Sequence, residues 1–392
     1  MNKLRLLVPA YFLVLLGFFV YSFTQVDLGL TLSKFPIYQA IEKPLQGVGF
    51  YQRPLSAVIF IIIVTLLFVF YGAFLYLVKK GNLKLKGLVI ITILTTVILV
   101  FSYNAFSYDL FNYIFDAKIV YFYHLNPYLY SAASFNSDSM IHFMRWTHRL
   151  YPYGPSWLLL TVPLSFIGMN YFLPTFFLFK LLMAASFLGS CYLIYMISEK
   201  LFPENKLFNV AFFAFNPLVL IETLISAHND IPMIFFILLS IYLFIQKKKT
   251  LSWVSNIFSI GIKFSTGALF PLFILLEFVE KIGKKINWEK FFISATVLSL
   301  STVLLASIRT TFQPWYIVFP LSMAAFVSQK KYIAIPALVA SVFAVSIYVP
   351  YVLMTDYAKG YPQIVQNIEI VGVAAVLISV AFSLLIKNRK IL

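Results

Sequence analysis

The sequence predicts an all-α polytopic membrane protein with about twelve membrane segments, and three observations support this fold class. The 392 residues are 61% hydrophobic and only 11% charged, with a mean hydropathy of +0.90. Apolar runs recur at close to the ~20 residues that a helix needs to cross ~30 Å of hydrocarbon. Short lysine clusters separate many of these runs, as is typical of cytoplasmic loops.

The segments are placed so that the lysine clusters alternate with polar loops of the other face. They cover about residues 5–24, 57–78, 87–102, 171–197, 208–225, 231–246, a pair of short helices within 251–280, then 290–308, 313–330, 332–351 and 367–386. Lys3 and Arg5 precede the first segment, and Lys387, Arg389 and Lys390 follow the last. Because basic loops stay in the cytoplasm, we expect both termini inside.

Residues 103–170 are predicted to form a large loop on the outer face that carries surface helices. Within it, residues 156–169 are apolar, but the stretch is short and contains Pro163. That length favours an interfacial or re-entrant helix over a span. A span here would move Lys247, Lys248 and Lys249 to the outer face, against the charge pattern. A further short surface helix is predicted around residues 37–41, which are weakly amphipathic.

Charge and cysteine usage exclude several function classes. The net charge is +16, but no basic stripe is interleaved with exposed aromatics, so we expect a lipid bilayer and no nucleic acid as partner. Cys191 is the single cysteine and lies in an apolar run, which excludes a disulfide framework. The four histidines lack HExxH-like spacing, so no metal site and no cofactor is expected.

The stretch 107–155 gathers carboxylates, aromatics and histidines in an otherwise apolar chain. Ser107 is a plausible cap of a helix that begins at Asp109. At helical spacing, Asp109, Asn112 and Asp116 share one face. Asp109 either favours the positive end of the helix or acts as a general base whose basicity is raised by partial desolvation. Asn112 and Asp116 are substrate-binding candidates, and Asp116 is equally compatible with a solvated face.

Two other parts of this stretch have two interpretations each. Tyr153 lies in a Pro-Tyr-Gly-Pro turn, where it is either an interface aromatic or a platform for a sugar ring. Arg145, His148 and Arg149 are predicted to share one helical side, which is either a solvated face or an anion site.

Polar residues at four other places interrupt the apolar pattern. His228, Asn229 and Asp230 separate two segments, either as a polar turn or as part of the site reached by Asp109. Lys180 lies inside a segment, Lys263 between two short ones, and Arg309 at the end of another. A charge within a span costs ~2.5–3.5 kcal/mol, so these cations either snorkel to the interface or hold a lipid-linked phosphate. A broken helix facing a cavity is the simplest account of Lys263.

These residues resemble a known enzyme family. The run Ser107-Tyr108-Asp109-Leu110-Phe111-Asn112-Tyr113, followed by Asn126-Pro127-Tyr128, resembles the first large outer loop of GT-C glycosyltransferases that use polyprenyl-phosphate sugars. Further matches, in the family's order, are Tyr153-Gly154-Pro155, Ala227-His228-Asn229-Asp230, Gly261-Ile262-Lys263 and Gln313-Pro314-Trp315-Tyr316. The most similar group is the polyprenol-phosphate-mannose-dependent α-(1→6)-mannosyltransferases.

The resemblance implies a GT-C-like fold and an integral-membrane enzyme of the cell envelope. Residues 87–330 would be the catalytic core, 1–86 an amino-terminal two-span addition and 331–392 carboxy-terminal spans. Asp109 takes the position of the family's catalytic aspartate, and His228 and Asp230 line the same cavity. Lys263 lies near the donor phosphate, with Asn229 and Trp315 as further substrate-binding candidates.

The resulting hypothesis is an inverting transfer of a hexose, with mannose as the extrapolated sugar. The donor would be a polyprenyl-phosphate sugar, and the acceptor a glycan or glycolipid at the outer face of the cell membrane. Asp109 would accept the acceptor's proton while Lys180, Lys263 and Arg309 stabilise the leaving phosphate. The alternatives are a transporter or flippase of lipid-linked sugars, for which we find no internal repeat, and a ligase that moves whole glycans from polyprenyl diphosphate.

Overall fold

The computed structural model describes residues 2–355 and 358–388, with side chains for 5–355 and 358–385, and this part of the chain contains helices and no strand. The α-helices are α1 Asn2–Ser22, α2 Pro36–Gln46, α3 Arg53–Lys79, α4 Leu85–Val100, α5 Asp109–Tyr121, α6 Pro155–Ile167, α7 Phe172–Leu201, α8 Lys206–Ala214, α9 Pro217–Leu220, α10 Asp230–Ile245, α11 Lys249–Ile262, α12 Phe270–Lys281, α13 Trp288–Arg309, α14 Val318–Ala324, α15 Lys331–Ser346, α16 Tyr348–Met354 and α17 Tyr361–Asn388. The predicted basic residues Arg389 and Lys390 lie outside the described residues.

Each predicted membrane segment coincides with a helix or a run of helical turns. Among the described residues, six helices are long and apolar enough to cross a membrane: Arg5–Gln25, Arg53–Lys79, Phe172–Leu201, Trp288–Arg309, Lys331–Met354 and Tyr361–Leu385. If the bent pair Pro203–Ala214 and Pro217–Ile225 is counted as one span, the described residues contain seven candidate spans. The chain is therefore a multi-pass, all-helical membrane protein, while the count of twelve segments and the outer-face loop stay predictions.

The stretch 103–170 consists of α5, two short 3-10 turns and α6. Pro155 occupies the first position of α6, where its missing N–H costs nothing. The helix has 13 residues, roughly 20 Å at 1.5 Å per residue and shorter than the hydrocarbon core. It packs on α5, and the Trp157 ring meets Tyr113 edge-on at 5.3 Å. The predicted helix around residues 37–41 is also present, as α2.

Residues 251–280 form the predicted pair of short helices. The first, α11, ends at Ile262, and Lys263 has extended backbone with φ −148° and ψ 126°. The 3-10 turn Phe264–Leu269 then leads into α12. The break leaves the Lys263 side chain outside both helices.

A second break lies between α8 and α9, which meet at an angle of 55°. The side chain of Asn216 caps α9 by accepting the Leu218 N–H at 3.0 Å, and Pro217 takes the first helical position. A wide helical turn, Ile221–Ile225, follows. Ala227 then adopts a φ of +57°, a strained conformation for a residue with a side chain. The reversal turns the chain back, so that the His228 N–H donates to the Glu222 carbonyl at 2.9 Å.

The amino-terminal helices pack directly on the rest of the protein. Helix α3 contacts α8 and α16, and the Tyr71 hydroxyl donates to the Phe212 carbonyl at 2.9 Å. The Tyr108 hydroxyl donates to Asp27 at 2.8 Å, which ties residues 1–86 to the start of α5. The carboxy-terminal helices α15 and α17 pack against each other. The proposed domain boundaries remain predictions.

Candidate active site

A cavity of about 480 Å³ opens where α5, the turn after α11 and the segments around α13 and α16 converge. Its polar and aromatic lining includes Ser107, Tyr108, Asp109, Asn112, Asp116, Arg145, Trp146, Arg149, Tyr153, Lys263, Thr310, Thr311, Gln313, Trp315, Tyr316, Tyr348, Tyr351 and Tyr361. The residues predicted from the sequence that it brings together are Asp109, Asn112, Asp116, Tyr153, Lys263 and Trp315. The cavity therefore holds two carboxylates, several cations and many aromatic rings.

Asp109 is the first residue of α5, and its side chain is 18% exposed. The Asp109 N–H donates to Ser107 Oγ at 3.1 Å. The N-cap of α5 is Tyr108, whose side chain makes no cap hydrogen bond, so the prediction of Ser107 as the cap is wrong by one position: Ser107 closes a local turn just before the helix. Burial raises the pKa of the Asp109 carboxyl to about 6, and the charges of Lys263 and Arg149 oppose that rise. The carboxylate is therefore ionised at neutral pH and more basic than an ordinary aspartate.

Asn112 and Asp116 follow Asp109 on the same face of α5 and also line the cavity. Burial, and then the charge of Asp109, raise the pKa of the Asp116 carboxyl to about 8. At neutral pH Asp116 is mostly protonated and can donate a hydrogen bond. Asn112 Oδ1 is buried with no hydrogen-bond partner among the described residues, so it is available to a ligand donor. Along this face α5 thus presents a base, a carbonyl acceptor and a neutral acid.

Lys263 supplies a cation to the cavity. Its Nζ donates to Asp230 Oδ2 at 2.7 Å and lies 5.3 Å from the centre of the Tyr316 ring. The Lys263 side chain is 19% exposed, whereas that of Asp230 is 4% exposed. Asp230 therefore lies outside the cavity lining, and it holds in place the Lys263 side chain that lines the cavity.

A close backbone crossing positions Lys263. A Cβ on Gly154 would lie 2.3 Å from the Gly261 carbonyl oxygen, and a Cβ on Gly261 would lie 2.2 Å from Ser156 Oγ. Only glycine fits at these two positions, so the start of α6 meets the last turn of α11 at backbone distance. Tyr153 and Lys263 flank this crossing and both line the cavity.

We expect Gly154→Ala to shift α11 and to weaken catalysis as well as folding. The inserted methyl overlaps the backbone, and overpacking of this kind costs about 1–3 kcal/mol. Thermal unfolding in detergent and the KM for the sugar donor are the measurements. Gly72→Ala is the matched control, because a Cβ on this helical glycine of α3 meets nothing within 4 Å. A Gly154→Ala protein with unchanged stability and KM would contradict this account.

His228 and Asn229 lie behind the wall of the cavity. The imidazole of His228 stacks on the Trp315 ring at 3.9 Å and 23°, and its side chain is 1% exposed. Its Nε2 lies 3.0 Å from Ser107 Oγ and 3.9 Å from Asp109 Oδ2. Asn229 Oδ1 accepts the Tyr113 hydroxyl at 3.4 Å. None of His228, Asn229 and Asp230 is in the lining. The expectation that His228 and Asp230 line the cavity is therefore corrected: both lie beneath it.

The structure places Lys180 apart from the cavity. The side chain is 1% exposed, and its Nζ donates to the carbonyls of Leu224 and, at 3.0 Å, Ile225. These carbonyls belong to the wide turn before His228, where the regular helix is broken. Arg309 is exposed at the end of α13 and is not in the lining, but Thr310 and Thr311 directly after it are.

Lys180→Met is expected to lower stability without changing the KM for the sugar donor. Two buried carbonyls lose their side-chain donor, and leaving such groups unsatisfied costs about 1–3 kcal/mol. Thermal unfolding and donor titration measure the two effects. Lys200→Met, at the exposed end of the same helix α7, is the control. A raised KM with unchanged stability would instead favour a role in binding the donor.

The sequence interpretation of Arg145, His148 and Arg149 as one helical side is wrong, because residues 144–150 are not helical. Both arginines nevertheless line the cavity, while His148 does not. The Arg145 guanidinium lies 4.3 Å from the Tyr108 ring centre and that of Arg149 4.2 Å from the Trp146 ring centre. Contacts with aromatic faces orient both cations.

Comparison with known families decides the general activity. Residues 14–279 match the model of the family described as alpha-(1→6)-mannopyranosyltransferase, N-terminal domain. The chain belongs to this family. It is therefore a glycosyltransferase of the α-mannosyltransferase class, which acts with a sugar donor and a glycan acceptor. The match includes Asp109, His228 and Lys263, whereas Arg309 and Trp315 follow it. We found no match among the curated proteins or among the solved structures.

The absence of a metal and of a cofactor remains a prediction. Within the described ranges, no three His, Cys, Asp or Glu side chains come together in a group that would hold a metal ion.

Proposed function

We propose that the protein transfers mannose from polyprenyl-phosphate mannose to a glycan or glycolipid, with inversion at the anomeric carbon and Asp109 as general base. The observation that carries this proposal is that a basic carboxylate, Asp109, shares one cavity with Lys263. A base and a cation in one cavity suit a reaction that removes a proton at one point and releases a phosphate at another.

In the proposed step, the acceptor hydroxyl forms a bond to the anomeric carbon as the bond from that carbon to the phosphate oxygen breaks. The hydroxyl proton passes to the Asp109 carboxylate, and the bonding electron pair leaves with polyprenyl phosphate. Attack from the face opposite the phosphate converts a β-linked donor into an α product. Because phosphate leaves readily, the proposal includes no separate general acid, no metal and no cofactor.

The charge that develops on the leaving phosphate needs preorganised cations. Lys263 is the first candidate, since Asp230 and the Tyr316 ring hold its Nζ in place. Arg145 and Arg149 are further candidates in the lining, and Arg309 stands next to lining residues at the end of α13. The buried position of Lys180 supports a structural role instead.

The proposed site faces the outer side of the cell membrane, with both termini in the cytoplasm. The support is the distribution of lysines between the apolar helices. Aromatic residues at the cavity, among them Tyr153 and Trp315, are proposed to stack against sugar rings.

Release of free polyprenyl phosphate tests the proposal directly. The purified protein in detergent is given polyprenyl-phosphate mannose with and without a mannoside acceptor, and polyprenyl-phosphate glucose serves as the comparison donor. We expect release that requires the acceptor and is faster with mannose. Absence of release from both donors would overturn the proposed donor class. Movement of labelled lipid across liposomes without release would instead identify a flippase.

A further inference from the structure

A buried chain of polar side chains runs from Glu222 to Asp109. The Tyr348 hydroxyl donates to Glu222 Oε1 at 2.8 Å, and Glu222 Oε2 lies 3.0 Å from His228 Nδ1. On the other side of the ring, His228 Nε2 lies 3.0 Å from Ser107 Oγ, which accepts the Asp109 N–H. The side chains of Glu222 and His228 are each 1% exposed. Sequence reasoning did not select Glu222, Tyr348 or this use of Ser107.

The neighbours of the imidazole determine where its proton lies. Nδ1 lies 3.0 Å from Glu222 Oε2, and neither atom has a hydrogen-bond partner among the described residues, so each is available to the other. A carboxylate oxygen can only accept a hydrogen bond, so pairing these two atoms places the ring proton on Nδ1. Nε2 then presents a lone pair, and the Ser107 hydroxyl donates to it. Trp315 stacks on the ring and holds its plane.

We propose that Glu222 is a positioning residue for the general base, because it holds His228 as the neutral Nδ1–H tautomer and so presents an unprotonated Nε2 to Ser107 and Asp109. This inference rests on the proposed role of Asp109 as the base. It adds Glu222, Tyr348 and Ser107 to the residues on which the rate depends.

The tautomer matters because Nε2 lies only 3.9 Å from Asp109 Oδ2. A ring N–H at this position would donate towards the carboxylate, favour its ionised form and lower its pKa, which weakens the base. A lone pair at the same position gives the carboxylate no such stabilisation. Burial and the charge of Lys263 hold the pKa of His228 well below its usual range, so the ring stays neutral.

Other charged and titratable groups also act on Asp109, but none of them determines which ring nitrogen of His228 carries the proton. They are Lys263, Asp230, Arg149, Tyr113, Asp116, Tyr153 and Tyr348. The Glu222 carboxyl group also interacts with Asp109 through its charge, so direct observation of the His228 ring, and not the titration of Asp109 alone, identifies the tautomer effect. A carboxyl group is also costly in a largely apolar helical segment, which argues for a function.

Kinetics of Glu222→Leu give the first test. Glu222 is absent from the cavity lining, so we expect the KM for the donor to stay within about twofold. We expect kcat to fall about 10-fold, a part of the roughly 10²–10⁴-fold that a positioned general base contributes, because a less basic Asp109 accepts the proton less readily. The acid limb of the pH profile should move to lower pH, because a freed Nε2–H tautomer stabilises the Asp109 carboxylate.

Two further variants distinguish the proposed effect from a general loss of folding. Ser107→Ala leaves the Glu222 carboxyl group in place, so Nε2 should stay unprotonated and the acid limb should not move as it does in Glu222→Leu. Glu42→Leu is the matched control: Glu42 is also buried and accepts a tyrosine hydroxyl, that of Tyr38 at 2.9 Å, but it lies outside the cavity. It should lower stability while kcat per folded enzyme and the pH profile stay unchanged.

The tautomer itself can be observed without substrate. In protein labelled with ¹⁵N-histidine, the two ring nitrogens of His228, assigned by comparison with His228→Asn, should report a neutral Nδ1–H ring between about pH 5 and 8. An Nε2–H ring or an imidazolium at neutral pH would overturn the proposal. So would wild-type kcat and an unshifted acid limb in Glu222→Leu. Lack of turnover by the wild type with this donor would count against the proposed function alone.

Discussion

Replacing Asp109 by asparagine is expected to lower kcat by about 10²–10⁴-fold, the usual contribution of a positioned general base. Asparagine keeps the size of the side chain and the N–H that donates to Ser107 Oγ, so the start of α5 should remain intact. The measurement is acceptor-dependent release of polyprenyl phosphate, with thermal unfolding as the check on folding. Turnover within about threefold of wild type would remove Asp109 as the base.

Asp116→Asn is the comparison that separates a base from a nearby carboxyl. The raised pKa of Asp116, about 8, means that this group already carries its proton at neutral pH. An amide reproduces the uncharged state, so we expect a much smaller loss than for Asp109→Asn. Equal losses in the two variants would point to a shared structural requirement of the α5 face.

The assignment of Asp109 as the general base also predicts how kcat/KM depends on pH. With a pKa of about 6, Asp109 acts as a base above that pH and loses this capacity as protonation increases below it. The profile of kcat/KM should therefore have an acid limb near pH 6 in the wild type. The limb should be absent from the residual activity of Asp109→Asn.

Much of the fold was predictable because the bilayer restricts what an apolar chain can do. Spanning segments must be helical and about 20 residues long, so α3, α7, α13 and α17 follow from composition alone. The run from Gly261 to Gly267, which interrupts an apolar stretch, predicted the short helices on either side of Lys263. The number of crossings did not follow, because α4, α6 and α10 have lengths that fit spans, re-entrant helices or buried helices.

The candidate site was predictable where a charge interrupts apolar sequence at the end of a helix, as with Asp109 and Lys263. Lys180 has the same local pattern, but its partners are carbonyls freed by the wide turn Ile221–Ile225. The sequence contains no local pattern that predicts this turn. Glu222 was missed for a related reason: it lies one turn after Pro217 in an apolar run, and only the tertiary fold brings His228 and Tyr348 to it.

Lys263→Met is expected to lower kcat/KM for the donor by about 10²–10³-fold, the usual loss when one preorganised electrostatic contact to a developing charge is removed. Methionine fills a similar volume without a charge. The loss of the cation should also raise the pKa of Asp109 above about 6, since the Lys263 charge lowers it. The acid limb should therefore move to higher pH, opposite to the shift expected for Glu222→Leu.

The double variant Lys263→Met/Asp230→Asn distinguishes catalysis from simple charge balance. Lys263→Met alone leaves Asp230, whose side chain is 4% exposed, as an unpaired buried carboxylate, which is strongly destabilising. Removing that charge as well should recover thermal stability but leave transfer slow, because the phosphate still lacks its cation. Lys118→Met is the control, since it breaks a similar ion pair, 2.5 Å to Asp138, outside the cavity. Full recovery of transfer in the double variant would show that Lys263 only neutralises Asp230, and the phosphate role would then fall to the arginines of the cavity.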